Sequence, residues 1–295
     1  MRFAQLPQDW PGRAASAEVR SGGISWHVQR LGAGPLVLLL HGAGASTHTW
    51  RHILRDLARD FSVLAVDLPG QGFTSLPDPA QASLEGMTAA LARLLRDLGA
   101  DPAAIVGHSA GAAVALNLAP RLPVRPRAVV AINPSLGSFE GIAGWLFPVA
   151  AKLLALNPFV PGAFARLFGT GRRVERLIAS TGSQIEPEGV AQYRRLVADP
   201  AHVAGTLAMM ARWTLDPLLG RLPAIDIPVL FILGAGDRAV PPAQSAAQAR
   251  RMPDARVVRL DGFGHLVHEE AAQDVLAALV PFLKECTAPG RPPGP

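Results

Sequence analysis

Apolar residues recur with two different periods along the chain. Residues 17–32 alternate apolar and polar side chains around a Gly-Gly turn, which predicts a β-hairpin. Residues 35–42, "PLVLLLHG", form a continuous apolar run, which is typical of a strand covered on both faces of a parallel sheet. Between such runs, residues 48–60 and 83–99 repeat apolar positions every three to four residues, which predicts helices.

The strand pattern stops after residues 127–134 and resumes at 227–237, and the interval holds apolar helical pieces separated by Pro and Gly. Strands that alternate with helices predict an α/β fold with a mostly parallel central sheet and helices on both faces. The Pro/Gly-rich tail predicts disorder. We therefore predict four parts: a first core part (1–134), an inserted helical cap (135–220), a second core part (221–285) and a disordered tail (286–295).

The composition is that of a globular protein, since about half of the 295 residues are apolar and only 17% are charged. The sequence has no apolar run of membrane-spanning length and no secretory signal, and Cys286 is its single cysteine, so we expect a cytoplasmic location. Arginine supplies nearly all of the positive charge behind the net value of +5. That charge indicates either a genomic preference for arginine or attraction to anionic partners; nucleic acid is not predicted, because no basic run contains interleaved aromatics.

Residues 105–116, "IVGHSAGAAVAL", combine a predicted strand, a tight turn and a predicted helix. The turn has the form G-x-S-x-G, in which Gly107 and Gly111 leave out Cβ atoms that would clash and Ser109 is exposed at the helix N-terminus. The helix dipole there favours developing negative charge. Ser109 is therefore predicted to be a nucleophile; the alternative is an ordinary helix N-cap.

A serine hydroxyl is a weak nucleophile until a base takes its proton. His265 follows the last predicted strand and a glycine-rich turn, and His268, three residues on, is the alternative base. The imidazole needs a carboxylate to fix its tautomer. Asp237 ends the neighbouring predicted strand and is preferred to Asp261, which we assign to a turn.

The oxyanion hole would use the N–H of Ala110, directly after the nucleophile, and the N–H of Ala43 in the loop after the first buried strand. His41 is expected to brace that loop, with a catalytic role as the alternative. His48 and His52 are four residues apart on a predicted helix, but no third ligand is evident, so we predict no metal and no cofactor.

Five segments resemble the α/β-hydrolase superfamily in order and spacing: "LLLHGAGAS", "VLAVDLPGQGFTS", "VGHSAGAAVAL", "GAGDRAVPP" and "GFGHLVHEE". The resemblance covers the chain up to about residue 285. It implies Ser109 as nucleophile, Asp237 as triad acid, His265 as base and a helical cap over the site. A serine at the nucleophile position argues against epoxide and haloalkane chemistry.

A closer resemblance, to the magnesium-chelatase accessory α/β-hydrolases of bacteriochlorophyll biosynthesis, extends into the cap, for example in "STGSQIEPEGVAQYRRL" and "HVAGTLAMMARWTL". It implies a place in photosynthetic tetrapyrrole synthesis. The partners it implies are a hydrophobic small molecule such as a Mg-tetrapyrrole, and magnesium chelatase or a membrane surface.

The cap is rich in Met and aromatic residues, which form an adaptable apolar lining for a large flat ligand, and in arginines that suit propionate groups. The alternative is that these apolar side chains form the cap's own core. His202, at the start of a cap helix, is a possible axial ligand for a Mg-tetrapyrrole. The predicted substrate contacts are Trp145, Phe147, Met209, Met210 and Trp213.

Three functions follow from these observations. The preferred one is a serine hydrolase that acts on an ester or related carbonyl of a large hydrophobic substrate, a porphyrin or Mg-porphyrin intermediate. The second is a non-catalytic tetrapyrrole-binding carrier for magnesium chelatase, since a fold does not fix a function. The third is a general carboxylesterase or lipase.

Overall fold

The computed structural model describes residues 1–137, 159–168 and 172–288. Eight strands form one sheet: β1 (Ser16–Ser21), β2 (Ile24–Leu31), β3 (Leu36–Leu40), β4 (Ser62–Val66), β5 (Ala104–His108), β6 (Ala128–Ile132), β7 (Val229–Gly234) and β8 (Ala255–Leu260).

The strand order is β1-β2-β4-β3-β5-β6-β7-β8. Strand β2 pairs antiparallel with β1 and with β4, and every other pair of neighbouring strands is parallel. The predicted α/β class with a mostly parallel sheet is confirmed. Because parallel strands end at one edge, the loops after β3, β5, β7 and β8 meet there.

Helices occupy connections between the strands and also follow the last strand. The first three are α1 (Leu54–Leu57), α2 (Leu84–Asp97) and α3 (Ala110–Leu118). Between β6 and β7 lie α4 (Val160–Phe168), α5 (Arg173–Ser180), α6 (Pro187–Val197), α7 (Pro200–Arg212) and α8 (Asp216–Arg221). The last three are α9 (Pro242–Ala249), α10 (Val267–Glu270) and α11 (Ala272–Thr287).

Both faces of the sheet are buried, which explains the continuous apolar runs. On one face Leu38 and Leu40 pack with α2 and α3. On the other face Val37 and Leu39 pack with α1 and α11. Each fully buried Leu or Val contributes about 1.5–3 kcal/mol, so these two layers supply most of the stability that orients the strand ends.

Two predicted helices differ from those observed. In place of one helix over 48–60, a 3-10 turn (Thr47–Trp50) precedes the short α1. The last predicted helix, over about 266–285, is interrupted at Ala271 and continues to Thr287. Residues 286 and 287 therefore belong to a helix and not to the predicted tail, and Cys286 is buried.

The residues described between β6 and β7 form helices and a short 3-10 turn, with no strand among them. We keep 135–220 as the proposed cap, although α8 crosses its end by one residue. None of the helices in the described part of the chain is both long and apolar enough to span a membrane.

Candidate active site

Ser109 lies at the tight turn between β5 and α3, and its backbone is strained, with φ 53° and ψ −117°. A Cβ on Gly107 would lie 2.4 Å from the Gly111 carbonyl oxygen, and one on Gly111 would lie 2.3 Å from the Leu40 carbonyl oxygen. Glycine at both positions is what lets the chain turn this sharply. The Ser109 N–H donates to the Ile132 carbonyl oxygen at 2.9 Å, which holds the turn against β6.

The three predicted triad residues meet at the strand ends. The Oγ of Ser109 lies 3.0 Å from Nε2 of His265, and Nδ1 of His265 lies 2.7 Å from Oδ2 of Asp237. The Asp237 side chain is 1% exposed and that of His265 12%. The other carboxylate oxygen of Asp237 accepts the N–H groups of Ala239 and Val240, both at 2.8 Å. This arrangement suits proton transfer from serine to imidazole, with Asp237 fixing the ring.

The structure places the two alternatives elsewhere. His268 is fully buried, and its Nε2 lies 2.6 Å from the Thr49 hydroxyl. Asp261 is exposed in the turn after β8, as expected of a turn former. The contact with the Ser109 hydroxyl is made by His265 and not by His268, and the contact with the His265 ring is made by Asp237 and not by Asp261.

The two predicted oxyanion donors belong to two segments next to Ser109. Ala110 is the first residue of α3, where an N–H has no acceptor within the helix. Ala43 is exposed in the loop after β3. A Cβ on Gly42, the residue before it, would lie 3.1 Å from the Ser109 Cβ, so this loop passes close to the nucleophile. The oxyanion hole stays a prediction.

His41 braces this loop, as expected. It is fully buried, its Nδ1 lies 2.7 Å from the Gly42 carbonyl oxygen, and its Nε2 accepts the N–H of Leu68 at 2.9 Å. Burial lowers the pKa of His41, so the ring is neutral and accepts that N–H.

Two residues that the motifs did not single out position His265. The Nε2 of His108 lies 2.8 Å from the His265 carbonyl oxygen, and the amide nitrogen of Asn133 donates to the same oxygen at 2.8 Å. The amide oxygen of Asn133 accepts the N–H of Gly234, at the end of β7. Asn133 therefore ties the His265 loop to the strand that leads to Asp237. Their place beside Ser109 and at the end of β6 is the sequence feature that could have identified them.

The rings behind His265 are neutral. Burial lowers the pKa of His108 and of His268 well below the usual histidine value, and neighbouring histidines lower it further. The His108 ring centroid lies 4.8 Å from that of His265 and 4.2 Å from that of His268. Uncharged neighbours do not repel the imidazolium that forms when His265 takes a proton.

A buried polar cluster joins the cap to the core near this site. Glu269 accepts hydrogen bonds from the hydroxyls of Thr49 at 2.5 Å and Tyr193 at 2.6 Å, and it pairs with Arg51. Burial raises the pKa of Tyr193 well above its usual value, and the Glu269 carboxylate adds to that, so the hydroxyl stays protonated and donates. The sequence offered no motif for this cluster.

No group of three or more metal-ligating side chains occurs within the described ranges 1–137, 159–168 and 172–288. Of the histidine pair considered, His48 contacts the Ser46 hydroxyl at 2.8 Å and His52 contacts Glu186 at 2.8 Å. Both side chains therefore have structural partners.

The predicted substrate contacts fall into different settings. Trp145 and Phe147 lie outside the described residues. Met209 is 2% exposed and packs in the core cluster, so it leaves little surface for a ligand. Met210 and Trp213 are half-buried. Among the cap arginines, Arg194 pairs with Glu175, and Arg195 pairs with Asp9.

Comparison with known proteins agrees with this fold. The family model described as alpha/beta hydrolase fold matches residues 35–272, most of the chain. The chain belongs to the α/β-hydrolase fold family.

Two relatives of this α/β-hydrolase are similar over nearly their whole length. A Rhodobacter capsulatus protein named magnesium-chelatase 30 kDa subunit is 44% identical over 95% of this chain and 98% of its own. A pimeloyl-[acyl-carrier protein] methyl ester esterase from Xanthomonas campestris pv. campestris is 31% identical over 87% of this chain and 98% of its own. Both resemblances inferred from the motifs are thereby confirmed.

A solved structure supports the fold alone. The crystal structure of a putative lipase from Acinetobacter baumannii AYE superposes with a TM-score of 0.76 at 22% identity, covering 92% of this α/β-hydrolase and 91% of the lipase.

Proposed function

We propose that this chain is a serine hydrolase acting on an ester or related carbonyl of a large hydrophobic substrate, a porphyrin or Mg-porphyrin intermediate of bacteriochlorophyll biosynthesis. The observation that carries the proposal is the continuous hydrogen-bonded line from Ser109 through His265 to Asp237. It supports acyl transfer because it supplies a nucleophile, a base and an acid that orients the base.

The reaction begins when the Ser109 oxygen attacks the carbonyl carbon and its proton passes to Nε2 of His265. The N–H groups of Ala43 and Ala110 would hold the negative oxygen of the tetrahedral intermediate. The intermediate collapses, and the leaving alcohol takes the proton from His265. A water molecule then gives its proton to His265 and attacks the carbonyl carbon of the acyl-enzyme. As the bond to the Ser109 oxygen breaks, that oxygen takes the proton back from His265 and the acid is released.

The substrate class is supported by the Rhodobacter relative, whose name places it with magnesium chelatase. The half-buried side chains of Met210 and Trp213 suit contact with a flat apolar ring. Arg172 and Arg176 are exposed and could pair with carboxylates, and they line a surface depression together with Glu175 and Ala179.

The direct test has two parts. Purified protein is treated with a fluorophosphonate probe, and mass spectrometry locates the label; we expect it on Ser109. Porphyrin methyl esters and short acyl esters are then compared as substrates, with Ser109→Ala as the control. Release of free acid from the porphyrin esters by wild type alone supports the proposal, and an unlabelled, folded wild-type protein refutes it.

The carrier function remains a second candidate for one reason: the name of the Rhodobacter relative describes a chelatase subunit, not a hydrolase. A deletion strain complemented with Ser109→Ala separates the two. Full pigment synthesis with the variant would mean that turnover is not the function. Accumulation of one tetrapyrrole intermediate would instead identify the substrate.

An ester outside pigment synthesis is a third candidate, because the Xanthomonas relative is named a methyl ester esterase for a carrier-bound acyl chain. The same ester comparison tests it. Faster cleavage of short acyl esters than of porphyrin esters would favour this candidate.

A further inference from the structure

One face of α7 lies directly on the loops that follow β3 and β4. At the closest point, a Cβ on Gly205 would lie 1.9 Å from the Gly70 carbonyl oxygen, so a side chain at this position would force the helix away. The face consists of residues spaced three and four apart along the helix: His202, Gly205, Thr206 and Met209.

His202 joins both loops to the helix. It is 2% exposed, its Nδ1 accepts the N–H of Gly72 at 2.9 Å, and its Nε2 lies 3.2 Å from the Gly44 carbonyl oxygen. Because Nδ1 accepts a hydrogen bond, the neutral ring carries its hydrogen on Nε2, and this N–H donates to the Gly44 carbonyl oxygen. Burial lowers the pKa of His202 to about 4, so the ring keeps this neutral form near neutral pH. Both nitrogens are occupied, which argues against an axial-ligand role.

Gln71 holds the same loop residue from the other side. Its amide oxygen accepts the Gly44 N–H at 2.6 Å, and its amide nitrogen contacts the sulfur of Met209 at 3.2 Å. Both polar backbone groups of Gly44 are therefore engaged. The Gly44 carbonyl shares its peptide unit with the Ala45 N–H, which donates to the Gly42 carbonyl oxygen at 3.2 Å. That carbonyl shares its own peptide unit with the Ala43 N–H, so fixing Gly44 restricts the direction of the Ala43 N–H.

We propose that His202 is a positioning residue: by donating to the Gly44 carbonyl oxygen, it aims the Ala43 N–H at the oxygen that becomes negative during attack by Ser109. The docked cap helix thereby completes the oxyanion hole. His202 acts through Gly44 and touches no reacting atom. The role rests on the proposed hydrolase function, because it requires that the Ala43 N–H bind the substrate oxygen.

Two substitutions separate the two hydrogen bonds of His202. In His202→Gln, the amide nitrogen reaches the region of Nε2 and keeps a donor for Gly44. In His202→Asn, the amide oxygen reaches the region of Nδ1 and keeps an acceptor for Gly72, but the donor to Gly44 is lost. His52→Asn, at a half-exposed histidine, is the matched control. The measurements are kcat and KM on a short 4-nitrophenyl ester, the rate of fluorophosphonate labelling of Ser109, and the unfolding midpoint.

We expect His202→Asn to lose about tenfold or more in kcat and in labelling rate, with KM little changed, because the oxyanion donor is displaced. His202→Gln should retain most of both, and the two variants should unfold at similar temperatures. Gln71→Met, which removes the acceptor for the Gly44 N–H, should also lower kcat with KM little changed.

Equal kcat and labelling rate in the Asn and Gln variants, beside a reactive wild type, would overturn the role of His202 alone. An unchanged kcat in folded Gln71→Met would show that the position of Gly44 does not control the oxyanion donor, and would therefore also overturn the role of His202. This variant remains informative if both His202 variants fail to fold. A wild-type protein that is never labelled at Ser109 would overturn the hydrolase function, and the role of His202 with it.

Discussion

The part of the chain that the structure describes holds two Ser–His–Asp hydrogen-bonded lines, one at the strand ends and one at the N-terminal hairpin. In each, the serine Oγ lies 3.0 Å from the histidine Nε2, and the histidine Nδ1 lies 2.7 or 2.8 Å from a carboxylate oxygen. These distances do not distinguish a nucleophile from a structural serine. The first line joins Ser109, His265 and Asp237, and the second joins Ser16, His27 and Asp67.

The backbones around the two serines differ. Ser109 has φ 53° and is the N-cap of α3, where the first N–H groups have no acceptor within the helix. Ser16 has an ordinary extended conformation, φ −81° and ψ 138°, at the start of the edge strand β1. Its hydroxyl also accepts a hydrogen bond from the Gln29 side chain at 3.2 Å. A Ser–His–Asp line therefore supports catalysis only where the turn also provides donors for the oxyanion.

The two acids also differ in what they hold together. Asp67 is fully buried and accepts the N–H groups of Thr47 at 2.7 Å and Phe73 at 2.8 Å, besides contacting His27. It thus links two loops to the N-terminal hairpin. Among the residues that the structure describes, Asp237 accepts N–H groups of its own loop, in addition to its contact with His265. We infer that the second line stabilises the fold.

Replacing each serine by alanine should give the largest difference between the two hydrogen-bonded lines. Ser109→Ala should lower kcat by about 10⁶-fold and abolish fluorophosphonate labelling, because the nucleophile is gone. Ser16→Ala should leave both unchanged. Active-site titration and mass spectrometry check this. A label on Ser16 in either protein would contradict the division between the two lines.

Asp237→Asn should lower kcat by about 10⁴-fold, since an amide donates where the carboxylate accepts and so favours the wrong tautomer of His265. The folded structure should persist, because the amide oxygen can still accept one N–H of the loop. Ester hydrolysis and circular dichroism measure the two effects. A variant with near-normal kcat would show that His265 needs no acid.

Asp67→Ala should instead reduce stability, by about 3–5 kcal/mol, because it leaves His27 and two buried N–H groups without their acceptor. Urea unfolding measures the loss. At a temperature where the variant is folded, labelling of Ser109 should proceed at close to the wild-type rate. Stability equal to that of wild type would show that the buried line is not structural.

The site at the strand ends was predictable because each of its residues follows a strand of the parallel part of the sheet, and the strands before Ser109 and Asp237 are fully buried. Position alone brings Ser109, Asp237 and His265 together once the sheet is parallel. The second line has no such motif: His27 and Asp67 become neighbours only through the antiparallel register that places Val28 opposite Val66. The register between strands that are distant in sequence cannot be predicted from any local sequence pattern.

Local periodicity predicted which residues are buried more reliably than it predicted the type and length of the helix that holds them. In the segment 48–60, Trp50, Ile53 and Leu57 are buried as the pattern requires, yet a 3-10 turn followed by a short helix places them. Met209 was predicted to contact substrate but is packed against Gln71. Apolar side chains suit a docking face and a ligand pocket equally, so composition could not separate the two.

Acid should weaken the buried line through Asp67. Burial alone would raise the pKa of this carboxyl, but the charge and hydrogen bond of His27, with smaller contributions from His41 and the Phe73 N–H, lower it to about 2. A carboxyl whose pKa is lower in the folded than in the unfolded state stabilises the fold fully above about pH 4, and this stabilisation disappears as the pH falls through about 2.

The loss amounts to roughly 2 kcal/mol, since one pKa unit corresponds to about 1.4 kcal/mol. Urea unfolding of wild type and Asp67→Asn across this range isolates it, because the other carboxyls titrate alike in both proteins. The stability advantage of wild type should shrink by that amount towards pH 2. If the two stability curves stay parallel, the Asp67 carboxylate does not stabilise the fold, and the two lines differ only in the backbone around their serines.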